Sequence, residues 1–280
     1  MAGGRSVVVN GDLGSGKSTV SGLLAGQMGV RRISVGDLYR EMALQRGLTA
    51  LQLNLHAELD DKIDHYVDLL QRDIAASGER LVVDSRLAWF FFRDALKVHL
   101  ITDPAVAASR VLGRPADTVE CYTSAAEARQ RLAERSESER VRFIQRYDAD
   151  KTRLRNYDLV CDSTRATPQE IVSRIIEALS VPPDGTRLFI DPRRIHPTAH
   201  RGADTGPIRL GYSRPHFFVV DGEQAIDSAV RDGRTLVPAT LVAEANEPIH
   251  GHSADAYFTA YRSVPGGRVR PPHRSPAAGT

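Results

Sequence analysis

Short runs of apolar, often β-branched residues alternate with stretches of helical periodicity over the first 180 residues of the chain. Because the runs are apolar at nearly every position, they are typical of parallel strands covered on both faces. They predict five β-strands, at Ser6–Asn10, Arg31–Ser34, Arg80–Asp84, Lys97–Ile101 and Tyr157–Asp162. The intervening stretches repeat apolar residues every three or four positions, as helices with one buried face do. The alternation predicts an α/β fold with a doubly wound, five-stranded parallel sheet.

Three of the predicted helices begin at residues whose side chains are suited to cap them. Asp103 stands before Pro104, a favourable pair for an N-cap and the first helical position. Ser124 and Thr167 are each followed three residues later by a glutamate, which is the spacing of a capping box. The helix after Ser124 is expected to continue to Tyr147.

The pattern changes near residue 180, which ends the first predicted domain, residues 1–180. Residues 181–186 are rich in proline and glycine and are interpreted as a linker. Residues 187–261 predict a small α+β accessory domain, with strands at Arg187–Ile190, Pro207–Leu210, Phe217–Val220 and Leu236–Val242 and a helix at Ala225–Val230. Residues 262–280 are rich in Pro, Gly and Arg, with few large apolar residues, and predict a disordered tail.

The composition of the chain narrows its class. Hydrophobic residues make up 41% and charged residues 26% of 280, which is ordinary for a soluble globular enzyme. The net charge of +2 gives no argument for a nucleic-acid or membrane partner. The two cysteines, Cys121 and Cys161, lie far apart and lack metal-ligand spacing, so neither a disulfide framework nor a zinc site is expected. A soluble, cytoplasmic protein is predicted, since neither a signal peptide nor a membrane-spanning stretch is apparent.

The strongest motif follows the first predicted strand and begins the first predicted helix. It fits G-x-x-x-x-G-K-[ST], the phosphate-binding P-loop, with Gly11, Asp12, Leu13, Gly14, Ser15, Gly16, Lys17 and Ser18, and Thr19 follows as a further cofactor-binding residue. Glycines let successive backbone N–H groups point at phosphate oxygens, and the helix N-terminus adds a positive dipole end. Lys17 is expected to reach the β- and γ-phosphates of ATP, and the Ser18 hydroxyl to ligate Mg²⁺. Asp12 suits an anion site only if its carboxylate points outward.

The order of motifs resembles that of the cytidylate kinase-like family, especially its short archaeal-type members, over about residues 7–179. After the P-loop comes Ser34-Val35-Gly36-Asp37-Leu38-Tyr39-Arg40, which is similar to the family's S-x-G-D-x-x-R. Asp84-Ser85-Arg86-Leu87-Ala88 stands where the family reads E-G-R-L-A. The resemblance implies a P-loop nucleoside monophosphate kinase that uses ATP and Mg²⁺.

A nucleoside monophosphate carries a dianionic phosphate, and arginine binds phosphate through two parallel hydrogen bonds. Arg40, Arg86 and Arg110 follow predicted strands, at the sheet edge where α/β folds bind ligands. We therefore assign Arg40 and Arg110 to the acceptor phosphate. By resemblance, Arg86 also helps to read the base, and Ser34 and Asp37 line the acceptor pocket. Asp84 is interpreted in two ways, as a group that orients the acceptor or a metal-bound water, or as a structural carboxylate at a strand end.

Arg135, Glu139 and Arg142 share one face of the helix after Ser124. The resemblance implies that this helix is a lid, with Arg135 and Arg142 stabilising charge on the transferring group and Glu139 accepting from a sugar hydroxyl. The family has aspartate at the position of Glu139, so the extra methylene bears on sugar preference. A charged, solvent-facing helix is the alternative interpretation.

The region after residue 186 faintly resembles ParB-like domains around Phe217–Ala225, but the arginine expected there is absent. It could regulate the enzyme, bind a protein partner or cover the active site. The leading hypothesis for the whole chain is transfer of the ATP γ-phosphoryl group to a nucleoside monophosphate, with CMP or dCMP favoured. The alternatives are a kinase of a specialised nucleotide or other small molecule, and an ATP-binding regulator that signals through its C-terminal region. Small nucleotides are the expected partners, with no membrane and no nucleic acid.

Overall fold

The computed structural model describes residues 4–47, 61–113, 122–181, 185–198 and 206–262. Within these ranges, the side chains of residues 39, 40, 43, 61–64, 261 and 262 lie outside the description. The chain divides into two compact units. The first comprises Met1–Asp191 and Thr235–Pro238, and the second comprises Pro192–Arg234 and Ala239–Thr280.

The first unit contains a six-stranded parallel sheet. Its strands are β1 (Val7–Gly11), β2 (Arg31–Ser34), β3 (Leu81–Asp84), β4 (Leu96–Ile101), β5 (Leu159–Asp162) and β6 (Arg187–Ile190), in the order β2-β3-β1-β4-β5-β6. The five strands predicted from the apolar runs are confirmed within one or two residues. The sixth strand differs from the prediction, because Arg187–Ile190 is expected in the accessory domain but forms β6, which pairs with β5. Leu188 and Ile190 explain this pairing, because both are fully buried beside β5.

Seven α-helices are described in the first unit: α1 (Lys17–Met28), α2 (Val35–Gln45), α3 (Asp61–Ala76), α4 (Ala88–Phe91), α5 (Pro104–Leu112), α6 (Ala125–Tyr147) and α7 (Pro168–Leu179). The three predicted N-caps are confirmed. Asp103 accepts from two backbone N–H groups of α5, Ser124 accepts from the N–H of Glu127, and Thr167 with Glu170 forms a complete capping box. Each such cap stabilises its helix by about 1 kcal/mol.

The main core of the first unit lies between the sheet and helices α1 and α7. Leu24 on α1 and Ile175 on α7 are fully buried in one cluster with the side chains of β1, β4 and β5. Leu236, in the segment that returns to this unit, packs against the same cluster. Each fully buried Leu or Ile contributes about 1.5 to 3 kcal/mol, so this layer holds the carboxyl ends of the strands in place.

The second unit contains β7 (Ile195–His196), β8 (Arg209–Ser213), β9 (His216–Asp221), α8 (Glu223–Arg231), most of β10 (Val237–Glu244), β11 (Pro248–Ile249), β12 (His252–Ser253) and α9 (Ala254–Arg262). Its sheet has the order β10-β8-β9-β7, and only β8 and β9 run antiparallel among its described neighbours. Stacked rings of Phe218, Tyr257 and Phe258 form its core. The expected disordered tail after residue 262 lies outside the described residues. No helix in the described part of the chain is long and apolar enough to cross a membrane.

Candidate active site

The P-loop connects β1 to α1 and packs tightly against two neighbouring elements. A Cβ on Gly11 would lie 2.5 Å from the carbonyl oxygen of Leu100 in β4, so glycine is required for this close approach. Gly14 has a φ of 78°, and a Cβ there would lie 2.9 Å from the backbone of Ala107 in α5. Gly16 begins α1 in the left-handed conformation, and no side chain caps the helix. The first N–H groups of α1 are therefore available to an anion.

Lys17 lies at the start of α1 and folds back over the loop. Its ammonium group donates to the carbonyl oxygens of Gly11, at 2.8 Å, and Asp12, at 3.0 Å. Burial lowers the pKa of Lys17 to about 8, although the negative charge of Asp84 opposes that shift. A polyanion bound at the loop would favour the charged form and supply the partner that these carbonyl groups now provide.

Asp84 ends β3 beside the P-loop helix. Its Oδ2 accepts from the Ser18 hydroxyl at 3.2 Å, from the Ser21 hydroxyl at 3.4 Å and from the Arg32 guanidinium at 3.0 Å. The residue is 6% exposed. Asp84 therefore lies next to the hydroxyl that the motif assigns to the metal, and both groups offer the oxygen atoms that Mg²⁺ prefers.

Asp12 is turned towards the end of β4. Its carboxylate is 46% exposed, lies 3.9 Å from Nε2 of His99 and accepts from the backbone N–H of Thr102 at 3.4 Å. This outward orientation is the one that an anion-binding loop requires. On the other side of the loop, Leu13 packs against a small cluster on α5 and α6 that includes Leu132.

A buried polar group lies beneath the P-loop and was not anticipated from the sequence. Asn10 in β1 donates to His99 in β4 at 3.1 Å and also hydrogen-bonds Tyr157, whose ring stacks on His99 with centroids 4.5 Å apart. The Tyr157 hydroxyl donates to the carbonyl oxygen of Lys151 at 2.7 Å. Burial lowers the pKa of His99 to about 4, so it is neutral at physiological pH. The available signal was a polar residue inside each of two apolar strand runs.

Glu139, on the lid helix α6, is the centre of a buried charge cluster. Its carboxylate pairs with Arg86, with Lys151 at 2.7 Å and with Arg135 at 3.4 Å. Burial alone would raise the pKa of Glu139, but these three cations outweigh it and hold the pKa at about 2. Since Glu139 is 5% exposed, this position of α6 does not fit the solvent-facing alternative. Both carboxylate oxygens accept from cations here, and Lys151 was not among the predicted site residues.

Two other predicted site residues, Ser34 and Arg110, contact backbone groups near the P-loop and the strand ends. Ser34 accepts from the backbone N–H of Asp37 at 3.2 Å, so the turn into α2 is closed beside β3. Arg110 donates to the carbonyl oxygen of Ser163 after β5 at 2.6 Å and approaches that of Gly14 at 3.5 Å. These contacts lie with the P-loop and the end of β5, and the acceptor role expected for Arg110 stays a prediction.

Arg40 and Arg142 are the two other arginines predicted for the site. The backbone of Arg40 lies in α2, but its side chain lies outside the described residues. The guanidinium of Arg142, on α6, lies 5.9 Å from the centroid of the Phe143 ring.

A cavity of about 210 Å³ lies between α2 and α3. Its wall is mainly apolar, with Val35, Leu38, Val67 and Leu70, and includes polar side chains such as Glu41 and Gln71. Gln71 accepts a hydrogen bond from Ser85, which directly follows Asp84. The cavity therefore adjoins the carboxyl end of β3, where Ser18 contacts Asp84.

A glycine-rich loop at a helix start, with a lysine, a hydroxyl and a neighbouring strand-end carboxylate, defines a P-loop phosphotransferase. Residues 7–152 match a family model described as an AAA domain. The chain is 38% identical over 182 residues to the cytidylate kinase of Haloarcula marismortui, covering 64% of this chain and 92% of that protein. It is 36% identical over 176 residues to the cytidylate kinase of Natronomonas pharaonis, covering 62% and 88%. The chain belongs to the cytidylate kinase-like family of nucleoside monophosphate kinases, as its motifs indicated.

A solved structure supports the fold alone. An uncharacterized protein from Eubacterium ventriosum superposes with a TM-score of 0.50 at 15% sequence identity, covering 64% of this chain and 99% of that one. The relatives and this structure align with less than two thirds of the present chain. The similarity therefore leaves about a third of the chain without a counterpart in them.

Proposed function

We propose that the enzyme transfers the γ-phosphoryl group of ATP, bound with Mg²⁺ at the P-loop, to a nucleoside monophosphate, with CMP or dCMP preferred. The observation that carries the proposal is the 3.2 Å contact between the Ser18 hydroxyl and the Asp84 carboxylate. It joins the P-loop helix to the strand end from which the acceptor-binding segment continues. The preference for CMP or dCMP is supported by the cytidylate kinase relatives.

The donor site is built for a polyphosphate. Ser18 and Asp84 would hold Mg²⁺, directly or through water, and the ion would neutralise charge on the β- and γ-phosphates when bound. When ATP binds, the Lys17 ammonium group would donate to phosphate oxygens instead of the carbonyl oxygens of Gly11 and Asp12. Arg110, which contacts the loop backbone and the residues after β5, belongs to this donor side in our proposal.

The acceptor side needs positive charge but no general base. The attacking atom is a phosphate oxygen that is already largely deprotonated near neutral pH, so its bond to the γ-phosphorus forms while the bridge to the β-phosphate breaks. Arg86 and Arg135, which both pair with Glu139, would neutralise the phosphates as they approach. Glu139 then positions these two arginines instead of binding the sugar. Arg40, Ser34 and Asp37 remain proposed acceptor contacts.

The test is ADP release with ATP and Mg²⁺ against CMP, dCMP, UMP, AMP and GMP. We expect acceptor-dependent turnover, fastest with CMP or dCMP, and its loss in Lys17→Ala. Arg135→Ala should lower kcat about 100-fold or more, as loss of a charge-stabilising group does. The matched control is Arg131→Ala on the same helix, because the side chain of Arg131 is 63% exposed and pairs with Glu134 on the surface. Full turnover by Lys17→Ala would refute the donor site.

A further inference from the structure

Lys151, in the segment that follows the lid helix α6, is a buried cation that no motif of the chain assigns to the site. The residue is 9% exposed. Its ammonium group donates to Oε2 of Glu139 at 2.7 Å and lies 5.8 Å from the centroid of the Phe143 ring. Burial lowers the pKa of Lys151, while the negative charges of Glu139 and, more weakly, of Asp12 oppose that shift. Because Asp12 belongs to the P-loop, this ammonium group lies within electrostatic reach of the donor site.

The backbone around Lys151 is held in place by contacts on both sides of it. The carboxylate of Asp150 accepts from Arg140 on α6 at 3.1 Å and from the hydroxyl of Thr152 at 2.7 Å. The carbonyl oxygen of Asp150 accepts from the side-chain amide of Asn156 at 2.7 Å. A side chain carried by a backbone that is fixed in this way is preorganised for its contact, so the segment directs Lys151 to Glu139.

Tyr157 connects the carbonyl group of Lys151 to the strands beside the P-loop. Its hydroxyl donates to the Lys151 carbonyl oxygen at 2.7 Å and accepts from Asn10 in β1. Its ring stacks on His99 in β4. Because a hydroxyl has a single proton, Tyr157 gives that proton to Lys151 and accepts from the Asn10 amide. The position of Lys151 is therefore fixed relative to β1 and β4, the two strands that the P-loop contacts.

Glu139 divides its two carboxylate oxygens between Lys151 and the arginines. Oε2 accepts from Lys151, whereas Oε1 accepts from Arg86 and Arg135. A carboxylate at this place repels the phosphates that the two arginines are proposed to attract. Three cations around one carboxylate give a charge of +2, which would be +1 without Lys151. Lys151 therefore offsets the charge of Glu139, so that the carboxylate orients the arginines without cancelling their positive charge.

We propose that Lys151 is a positioning residue for phosphoryl transfer, which fixes Glu139 and, through it, the orientation of Arg86 and Arg135. Lys151 acts through Glu139 and does not itself bind the phosphates. This inference rests on the proposed function, because it takes the two arginines as the groups that neutralise the transferring phosphoryl group. Since the role requires a positive charge beside Oε2 of Glu139, arginine should replace Lys151 in part. Methionine, which has a similar length and no charge, should not replace it.

The test is ADP release by Lys151→Met and Lys151→Arg with ATP, Mg²⁺ and CMP. We expect Lys151→Met to lower kcat about 10- to 100-fold and to leave the KM for ATP nearly unchanged, because misplacement of a charged group by about 1 Å costs that much. Lys151→Arg should recover most of the lost rate. Tyr157→Phe keeps every charge of the cluster but releases the Lys151 carbonyl group, and should lower kcat about 2- to 10-fold, as loss of one hydrogen bond predicts. Arg155→Met is the matched control, since it removes one positive charge from the same segment at an exposed position, and it should turn over like the wild type.

A measurement without substrate separates this inference from the kinase reaction. Nε–H of Arg135 donates to Glu139 at 3.4 Å, and its NMR signal is assigned by its absence in Arg135→Ala. We expect this signal to be the same in wild type and Arg155→Met and to shift or broaden in Lys151→Met. If the wild type phosphorylates no acceptor but the signal changes in this way, the kinase proposal fails and the positioning of Arg135 by Lys151 stands. The inference is overturned if Lys151→Met turns over like the wild type or leaves the signal unchanged. It is also overturned if Lys151→Arg is as slow as Lys151→Met, or if Arg155→Met loses as much activity.

Discussion

Glu139 is a buried carboxylate in the lid helix whose neighbours are three cations, so its replacement by glutamine is a sharp perturbation. Glu139→Gln keeps the side-chain shape but removes the charge that Arg86, Arg135 and Lys151 share. The Lys151 side chain, which is 11% exposed, is then left with its ammonium group facing a neutral amide. We expect the free energy of unfolding to fall, because an uncompensated buried charge is costly.

The size of the effect follows from the pKa of Glu139, which is about 2 in the folded protein against an ordinary 4.5. A gap of this size corresponds to about 3 kcal/mol at neutral pH, and breaking a buried ion pair in other proteins costs a similar 3 to 5 kcal/mol. Because the folded pKa is depressed, the stabilisation is complete above the unfolded pKa and is lost as the pH falls towards 2. The difference between wild type and variant should therefore shrink to less than half at pH 3.

Urea denaturation at pH 7 and pH 3 measures this difference directly. Glu134→Gln on the exposed side of the same helix is the control and should cost less than about 1 kcal/mol. Lys151→Met should destabilise the protein alone, and the double variant with Glu139→Gln should lose less than the sum of the two. A loss below about 1 kcal/mol for Glu139→Gln at pH 7, or additive single effects, would show that the cluster does not stabilise the fold.

Three further predictions concern the P-loop and its surroundings. Asp84→Asn removes the carboxylate beside Ser18, so it should lower kcat about 100-fold and raise the Mg²⁺ concentration needed for half-maximal rate. An unchanged dependence of the rate on Mg²⁺ would show that Asp84 has only a structural role. Because the pKa of His99 is depressed in the folded protein, its neutral form stabilises the fold above pH 6.5. The free energy of unfolding of the wild type should fall by about 3 kcal/mol as the pH falls to 4. Urea denaturation of His99→Asn should not show this decrease. Arg110→Ala removes a charged contact of the donor site, so it should raise the KM for ATP about tenfold and leave the KM for CMP nearly unchanged. The opposite pattern would show that Arg110 binds the acceptor phosphate.

The elements with a strong local signal could be predicted from the sequence. The five core strands are continuous apolar runs, and the caps at Asp103, Ser124 and Thr167 are decided within four residues. The pairing of β6 with β5 could not be predicted, because a four-residue strand after a proline-rich segment carries no information about which neighbour it will pair with. The roles expected for the accessory domain, residues 187–261, in regulation, partner binding or covering the active site stay predictions.

The P-loop could be predicted from the sequence because its chemistry depends on consecutive residues. The Glu139 cluster could not, because it joins Arg86 and Lys151, which are 53 and 12 residues away in the chain. Arg110 shows the same limit, since its helix was predicted correctly but its partners, Gly14 and Ser163, depend on how α5 is rotated against the sheet. Sequence spacing identifies the groups of a site, whereas long-range packing decides which of them meet.

The return of Thr235–Pro238 to the first unit has a consequence for the timing of synthesis. Thr235 donates to Glu170, the capping glutamate of α7, at 2.7 Å, and Leu236 joins the main core. The first unit otherwise ends at Asp191, so the ribosome must add 47 more residues (238 minus 191) before the last piece emerges. At 5 to 20 residues per second this takes about 2 to 10 s, during which α7 and the core are exposed to solvent at that position. Nascent chains stalled before residue 235 should therefore be more sensitive to proteases than those released after it.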